Sequence, residues 1–178
     1  MAEINIYTFL GVLLSGFLPT LLWLWFWLKE DPHPEPRRAL VLSFIMGMAA
    51  VPVVLLLEYL WYRAALGWGL SSPEEFSSLA LIFGWALIEE VAKFQTAWWV
   101  GLRHSVYNEP VDAMIYLITV ALGFSALENA LFLTNALGAG ALQGLITANL
   151  RFFGATLLHT VTAGVGLVNA LLGLIFNS

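Results

Sequence analysis

The chain has 178 residues, of which 60% are hydrophobic and 11% charged, with a formal net charge of −5 and no cysteine. Soluble domains run nearer half apolar and a quarter charged, and the mean hydropathy here is +0.84. These values exclude a soluble enzyme, a disordered tail and thiol chemistry. Seven Lys and Arg leave no basic surface for a nucleic-acid partner.

Three stretches lack any Asp, Glu, Lys or Arg: Ile4 to Leu28, Ala39 to Leu57 and Phe152 to Ser178. Runs of roughly 18 or more such residues read as transmembrane helices. They are too long and too continuously apolar for barrel strands. In chain order the expected spans are 4–28, 39–62, 76–100, 113–134 and 145–172. The fold class is therefore all-α, a polytopic transmembrane bundle of about five spans in one domain, 1–178. The N-terminus lacks the basic region of a signal peptide, so 4–28 reads as an uncleaved first span. Pro32, Pro34 and Pro36 predict an extended connector after it. Ser72, Pro73 and Glu75 form a capping box that predicts the start of the third span. Lys29, Arg37, Arg38 and Arg103 fall in the loops 29–38 and 101–112. The basic bias puts those loops in the cytoplasm and the N-terminus outside.

The polar residues kept inside the spans carry the functional argument. Glu89, Glu90 and Lys93 lie near the middle of the third. An acid at mid-bilayer costs about 2.5–3.5 kcal/mol on insertion scales. Glu89 and Glu90 each share a face with Lys93, at i,i+4 and i,i+3. They are about 100° apart, too far for both to point fully into one narrow site. A neutralising ion pair at a helix contact is the plain alternative. Glu128 and Asn129 follow in the fourth span, where a lone Glu could serve only as an interhelical hydrogen-bonding group. His159 is the one histidine within a span, and a lone buried His is often a core residue. Arg151 lies about two turns before it and either answers a carboxylate or, the preferred reading, snorkels to the outer interface.

Converging carboxylates and an imidazole can hold a divalent metal or polarise a water directly. There is no HExxH, so the zincin arrangement is excluded. Spacing alone supports an intramembrane polar site, with hydrolysis as one option.

The ordered motifs resemble the PrsW-type intramembrane proteases, within the CAAX prenyl-protease and bacteriocin-processing superfamily. Glu89-Glu90-Val91-Ala92-Lys93 matches an EExxK motif, Gly123-Phe124 through Glu128-Asn129 a GF…EN motif, and His159 the histidine helix. Asp31 to Pro36 is similar to the family's Pro-Glu-Pro connector, and Glu109 to Ala113 to the segment entering the glutamate helix. The resemblance implies an endopeptidase that cleaves a membrane-anchored, anti-sigma-factor-like protein in a bacterial or archaeal cell membrane. It implies Glu89, Glu90, Lys93, Glu128, Asn129 and His159 as the catalytic set. Glu90, Glu128 and His159 would ligate a divalent metal, zinc if any, and the partners would be membrane lipid and the protein substrate.

Two departures stand out. Relatives carry further helices and another histidine beyond the point where this sequence stops, and a third-motif polar position is Ala163 here. A shortened member, an incomplete chain and an inactive member each accommodate that. A non-catalytic membrane scaffold and a proton-coupled carrier remain the other functional readings, although carriers usually show paired repeats and broken helices.

Overall fold

The computed structural model describes residues 6–29, 35–72, 78–103, 110–139 and 156–162, with residues 146, 150 and 154. Five helices make up the described fold: α1 (Ile6–Lys29), α2 (Arg37–Gly67), α3 (Leu79–Ala97), α4 (Pro110–Ala139) and α5 (Thr156–Val161). No strand occurs among the described residues. The bundle is all-helical and belongs in a membrane. α2 and the Asp112–Thr134 part of α4 are each long and apolar enough to cross one. The outward faces support that placement, since Leu79, Phe83, Trp25 and Val41 are all well exposed. Lys29 over Trp25 and Arg103 over Trp99 form cation–π pairs at helix ends, as expected at a membrane–water boundary.

Local chemistry sets the helix ends. α2 begins directly after Pro36, which occupies its N-cap. Its C-terminus is a Schellman motif: the Leu70 N–H donates to Ala65 O at 2.9 Å and the Gly69 N–H to Leu66 O at 3.2 Å. That motif needs a left-handed residue, and Gly69 has φ +69°. α2 thus runs to Gly67, beyond the expected end at residue 62, because nothing before Gly69 breaks the helix. α3 starts at Leu79, where the Ser78 hydroxyl accepts from the Leu81 N–H. Ser78 is its N-cap. The expected capping box runs from Ser72 into residues 73–77, which lie outside the described residues. α3 then continues as one π-helical turn, Trp98–Leu102.

α4 is the central helix. Within its span, 78% of the residues are buried inside the protein, against 28% for α2. It packs against each of the other four helices. α2 crosses it at two glycines. A Cβ on Gly47 would meet the Val120 carbonyl oxygen at 2.1 Å, and one on Gly123 the Phe44 carbonyl oxygen at 2.0 Å. Small residues let the two backbones touch, as is common between membrane helices. Beyond the crossing, Val51 and Val54 pack on Phe124, with Ile88, Ala92 and Leu127 around them.

Glu35 and Gly101 meet at Tyr116, at one end of this bundle. Glu35, from the Pro-Glu-Pro segment, is buried and accepts a 2.6 Å hydrogen bond from the Tyr116 hydroxyl. Gly101, at the end of α3, lies against the Tyr116 ring. Tyr116 is itself fully buried.

Candidate active site

Three helices bring the polar residues together between α3, α4 and α5. α3 contributes Glu89, Glu90 and Lys93. The Lys93 side chain is only 1% exposed, and its ammonium lies 3.1 Å from Glu89 Oε2 and 2.9 Å from Glu90 Oε1. The sequence reading separates the two glutamates by about 100°. The structure shows how both still engage one group: Lys93 sits at an intermediate angle, i+4 from one and i+3 from the other.

α5 contributes His159, whose Nδ1 is 2.8 Å from Lys93 Nζ. His159 Nε2 is 3.0 Å from Glu128 Oε2 on α4. An ammonium has only donors, so Nδ1 accepts from Lys93. Nε2 then carries the proton and donates to Glu128, which fixes the neutral tautomer. The three donors of Lys93 are thereby spent on Glu89, Glu90 and His159. Glu89 Oε2 lies 3.8 Å from Nδ1, and the Thr162 hydroxyl, 2.9 Å from the Leu158 carbonyl oxygen, is also within 3.3 Å of Glu90 Oε1. Phe124 forms the apolar wall. Lys93 Nζ stands 4.8 Å above its ring, and His159 meets it edge-on at 5.9 Å.

Asn129 points elsewhere. It is buried, and its amide donates to Thr156 Oγ1 at 3.0 Å, beside the Ser125–Thr156 hydroxyl pair. This polar seam joins α4 to the start of α5. Arg151 and Ala163 lie outside the described residues.

Donor atoms of Glu89, Glu90 and His159 fall within 4.8 Å of one another, a spacing suited to a metal ion. Two hard oxygens and an imidazole suit zinc, manganese or iron. The Lys93 ammonium is bonded to all three, so this point already accommodates a cation. Glu128 lies on the far side of the imidazole. That is the usual place of a carboxylate that orients a ligating histidine.

A groove of about 620 Å³ lies between α2 and α3 and is lined by Met46, Val53, Leu57, Leu87, Val91 and Gln95. At 100° per residue, Val91 and Gln95 lie about 160° from Lys93 around α3, whereas Leu87 is only about 60° from Glu90.

Sequence reasoning missed one charged neighbour. Glu58 on α2 is within electrostatic reach of Glu89, Glu128 and Lys93. Its signal is positional. It continues the buried stripe Gly47, Val51, Val54, where an apolar residue belongs.

α3, α4 and α5 thus hold a Glu/Glu/Lys–His–Glu cluster between them, with Lys93 buried and the carboxylates half-buried. The chain belongs to the PrsW family of intramembrane metalloproteases, whose family model matches residues 35–174. Curated relatives named Protease PrsW agree. That of Geobacillus kaustophilus is 28% identical over 109 residues, covering 61% of this chain and 45% of the relative. That of Oceanobacillus iheyensis is 28% identical over 126 residues, 70% of this chain and 54% of the relative. That of Bacillus subtilis is 27% identical over 124 residues, 69% and 54%. The chain spans about half the length of these relatives. No solved structure matches it.

Proposed function

We propose that residues 1–178 form one transmembrane unit that hydrolyses a peptide bond in a membrane-anchored protein, of which an anti-sigma factor is one candidate. One observation carries this reading: the Lys93 ammonium is gripped by Glu89, Glu90 and His159, with Glu128 behind the histidine. A buried ion pair needs two groups. Five groups from three helices, each oriented by another, make a preorganised polar site of the kind that stabilises developing charge.

Glu90 is the most exposed of the three carboxylates at 26% and is the group placed to take a proton from water. The water oxygen adds to the scissile carbonyl carbon, the C–N bond breaks, and the proton passes to the leaving nitrogen. Lys93 supplies the fixed counter-charge as the carbonyl oxygen becomes anionic. Glu128 holds the imidazole in place, and Asn129 anchors α5 through Thr156. A divalent ion held by Glu89, Glu90 and His159 would supply Lewis acidity to the same reaction. Those three groups are the ones that the Lys93 ammonium engages here, so an ion held by them would stand in for its charge. The protein is multi-pass, and loops 29–38 and 101–112 face the cytoplasm with the N-terminus outside.

The test reconstitutes wild type, Glu89→Gln, Glu90→Gln and His159→Ala in vesicles with single-span test proteins, and measures bound metal in each by elemental analysis. Cleavage by wild type and its loss in all three variants, with insertion unchanged, is the expected result. Full cleavage by Glu90→Gln overturns the assignment.

A further inference from the structure

α1 and α2 each pack along α4 rather than along one another. A groove of about 400 Å³ is left between them. Leu21, Leu24 and Leu28 line it from α1, and Val41 and Ile45 from α2, with Arg37 at the start of the α2 wall. The spacing builds both walls. Leu21, Leu24 and Leu28 stand at i, i+3 and i+7, and Arg37, Val41 and Ile45 at i, i+4 and i+8, so each set shares one helix face.

The groove has the depth of one membrane leaflet. At 1.5 Å per residue, Leu21 to Leu28 and Arg37 to Ile45 each cover roughly 10–12 Å. One leaflet holds about 15 Å of hydrocarbon, half of the bilayer core. The end nearest Arg37 lies at the membrane boundary. α1 stops there at Lys29, whose ammonium stands over the Trp25 ring, and α2 starts there at Arg37. Both Arg37 and Arg38 are exposed. They occupy the first turn of α2, which holds no acid. A helix start favours acids because its own partial charge is positive. Two arginines add charge of the same sign, so this end of the groove is a cationic point above an apolar slot.

That pairing selects among occupants. A bare anion would use only the charged end, and an apolar helix only the slot. An acyl chain that carries an anionic head uses both. We propose that the α1–α2 groove seats one anionic phospholipid, with an acyl chain between the leucine wall of α1 and the Val41–Ile45 wall of α2 and its phosphodiester on the Arg37 guanidinium. Guanidinium and phosphate meet through two parallel N–H···O bonds. Basic pockets between membrane helices on the cytoplasmic side bind lipid head groups in this way. The lipid fills the space that α1 and α2 leave between them and holds α1 beside the first turns of α2. None of this depends on the peptidase reading.

The experiment takes the full chain, wild type, Arg37→Gln, Ile45→Trp and Arg103→Gln, in a mild detergent. Each is titrated with phosphatidylglycerol, with phosphatidylcholine of the same acyl chains, and with glycerol 3-phosphate. Native mass spectrometry counts the bound molecules, and melting temperature follows the same titrations. Wild type should retain one phosphatidylglycerol per chain, saturably, and melt higher with it. Charge-assisted bonds to a seated phosphate correspond to roughly a ten- to hundredfold effect, so Arg37→Gln should weaken binding by that factor. A basic residue that merely faces an anionic surface changes affinity by about fivefold, and Arg103→Gln should do no more than that. Ile45 is 53% exposed, so a Trp there enters the groove from its open side and should abolish retention without lowering the lipid-free melting temperature. Equal losses in Arg37→Gln and Arg103→Gln overturn the proposal. So does phosphatidylcholine retained as well as phosphatidylglycerol, as where a carboxylate already neutralises Arg37. Glycerol 3-phosphate binding as tightly as the lipid removes the slot from the site and overturns it too. Unchanged retention in Ile45→Trp, lipids bound without saturation, or a lipid-free dimer that Ile45→Trp splits would each overturn it as well.

Discussion

Lys93 donates to His159 Nδ1 at 2.8 Å, across 66 residues of sequence. This one bond links the glutamate helix to the histidine helix and sets the histidine tautomer. It also places a protein cation at the point where Glu89, Glu90 and His159 converge.

The first prediction follows from that placement. Lys93→Met removes the internal cation and leaves the two α3 carboxylates without their counter-charge. Breaking a buried charge cluster by removing one partner typically costs about 3–5 kcal/mol. In a chelated sample the variant should melt well below wild type. Added zinc should recover more stability in Lys93→Met than in wild type, because the ion no longer displaces an ammonium. Melting temperature against zinc concentration, read by a light-scattering or fluorescence scan, checks this. Equal zinc shifts in the two proteins would show that Lys93 and the metal do not share a position.

How much of this was legible beforehand depends on the residue. The helical class was written in the long uncharged runs, because a bilayer allows little else. Glu89, Glu90, Lys93, Glu128 and His159 stood out because each is expensive within a span. Their mutual arrangement was not legible. Which nitrogen of His159 meets Lys93 depends on how α5 packs against Phe124, a tertiary contact that no spacing rule encodes. Asn129 shows the same limit. Adjacent to Glu128 in sequence, it turns about 100° away and serves Thr156 instead. Glu58 was overlooked as a residue near a span end. Its meaning emerged only when the buried stripe of α2 was known.

A second prediction concerns the crossing of α2 and α4. A side chain at Gly123 has no room, since the first carbon would meet the Phe44 backbone at 2.0 Å. Backbone cannot yield as a side-chain tip can. Gly123→Leu should separate the helices and shift Phe124, one residue on, away from Lys93 and His159. Overpacking a core costs about 1–3 kcal/mol, and here the rigid partner puts the expected loss at the upper end. Gly67→Ala is the control, because nothing lies within 4 Å of its added carbon, and it should hold or raise stability. Melting temperatures in one detergent distinguish them, and a Gly123→Leu protein as stable as wild type would contradict the crossing.

The third prediction concerns the seam behind the histidine. Asn129 and Ser125 both bond to Thr156 at the start of α5. Interhelical hydrogen bonds of this kind average about 0.6 kcal/mol in membranes and reach about 1.7. Asn129→Leu should therefore lower stability only modestly. If the seam sets where α5 sits, the variant should still lose cleavage by roughly tenfold, because a small displacement of His159 breaks its bonds to Lys93 and Glu128 together. Thr156→Val should reproduce the loss, and combining the two should add little, since they disable one contact. Additive losses in the double variant would assign Asn129 a separate role at the reacting atoms.

The last prediction moves to the opposite end of α4. The Tyr116 hydroxyl donates to Glu35 at 2.6 Å, and both residues are buried. That bond ties the Pro-Glu-Pro connector to the central helix and so fixes where α2 begins. Tyr116→Phe deletes the donor while keeping the ring that Gly101 packs on. A hydrogen bond to a charged acceptor contributes about 1.5–3 kcal/mol, so the melting temperature should fall by several degrees. The site lies several turns along α4 from Tyr116, and its bonds run entirely among α3, α4 and α5. Metal content and kcat at a temperature below the transition should therefore match wild type. Protease nicking near residue 35 should rise, because the connector loses its anchor. An inactive Tyr116→Phe protein with unchanged stability would instead place Tyr116 in the path of the reaction, and would overturn the division between a structural end and a catalytic end of this bundle.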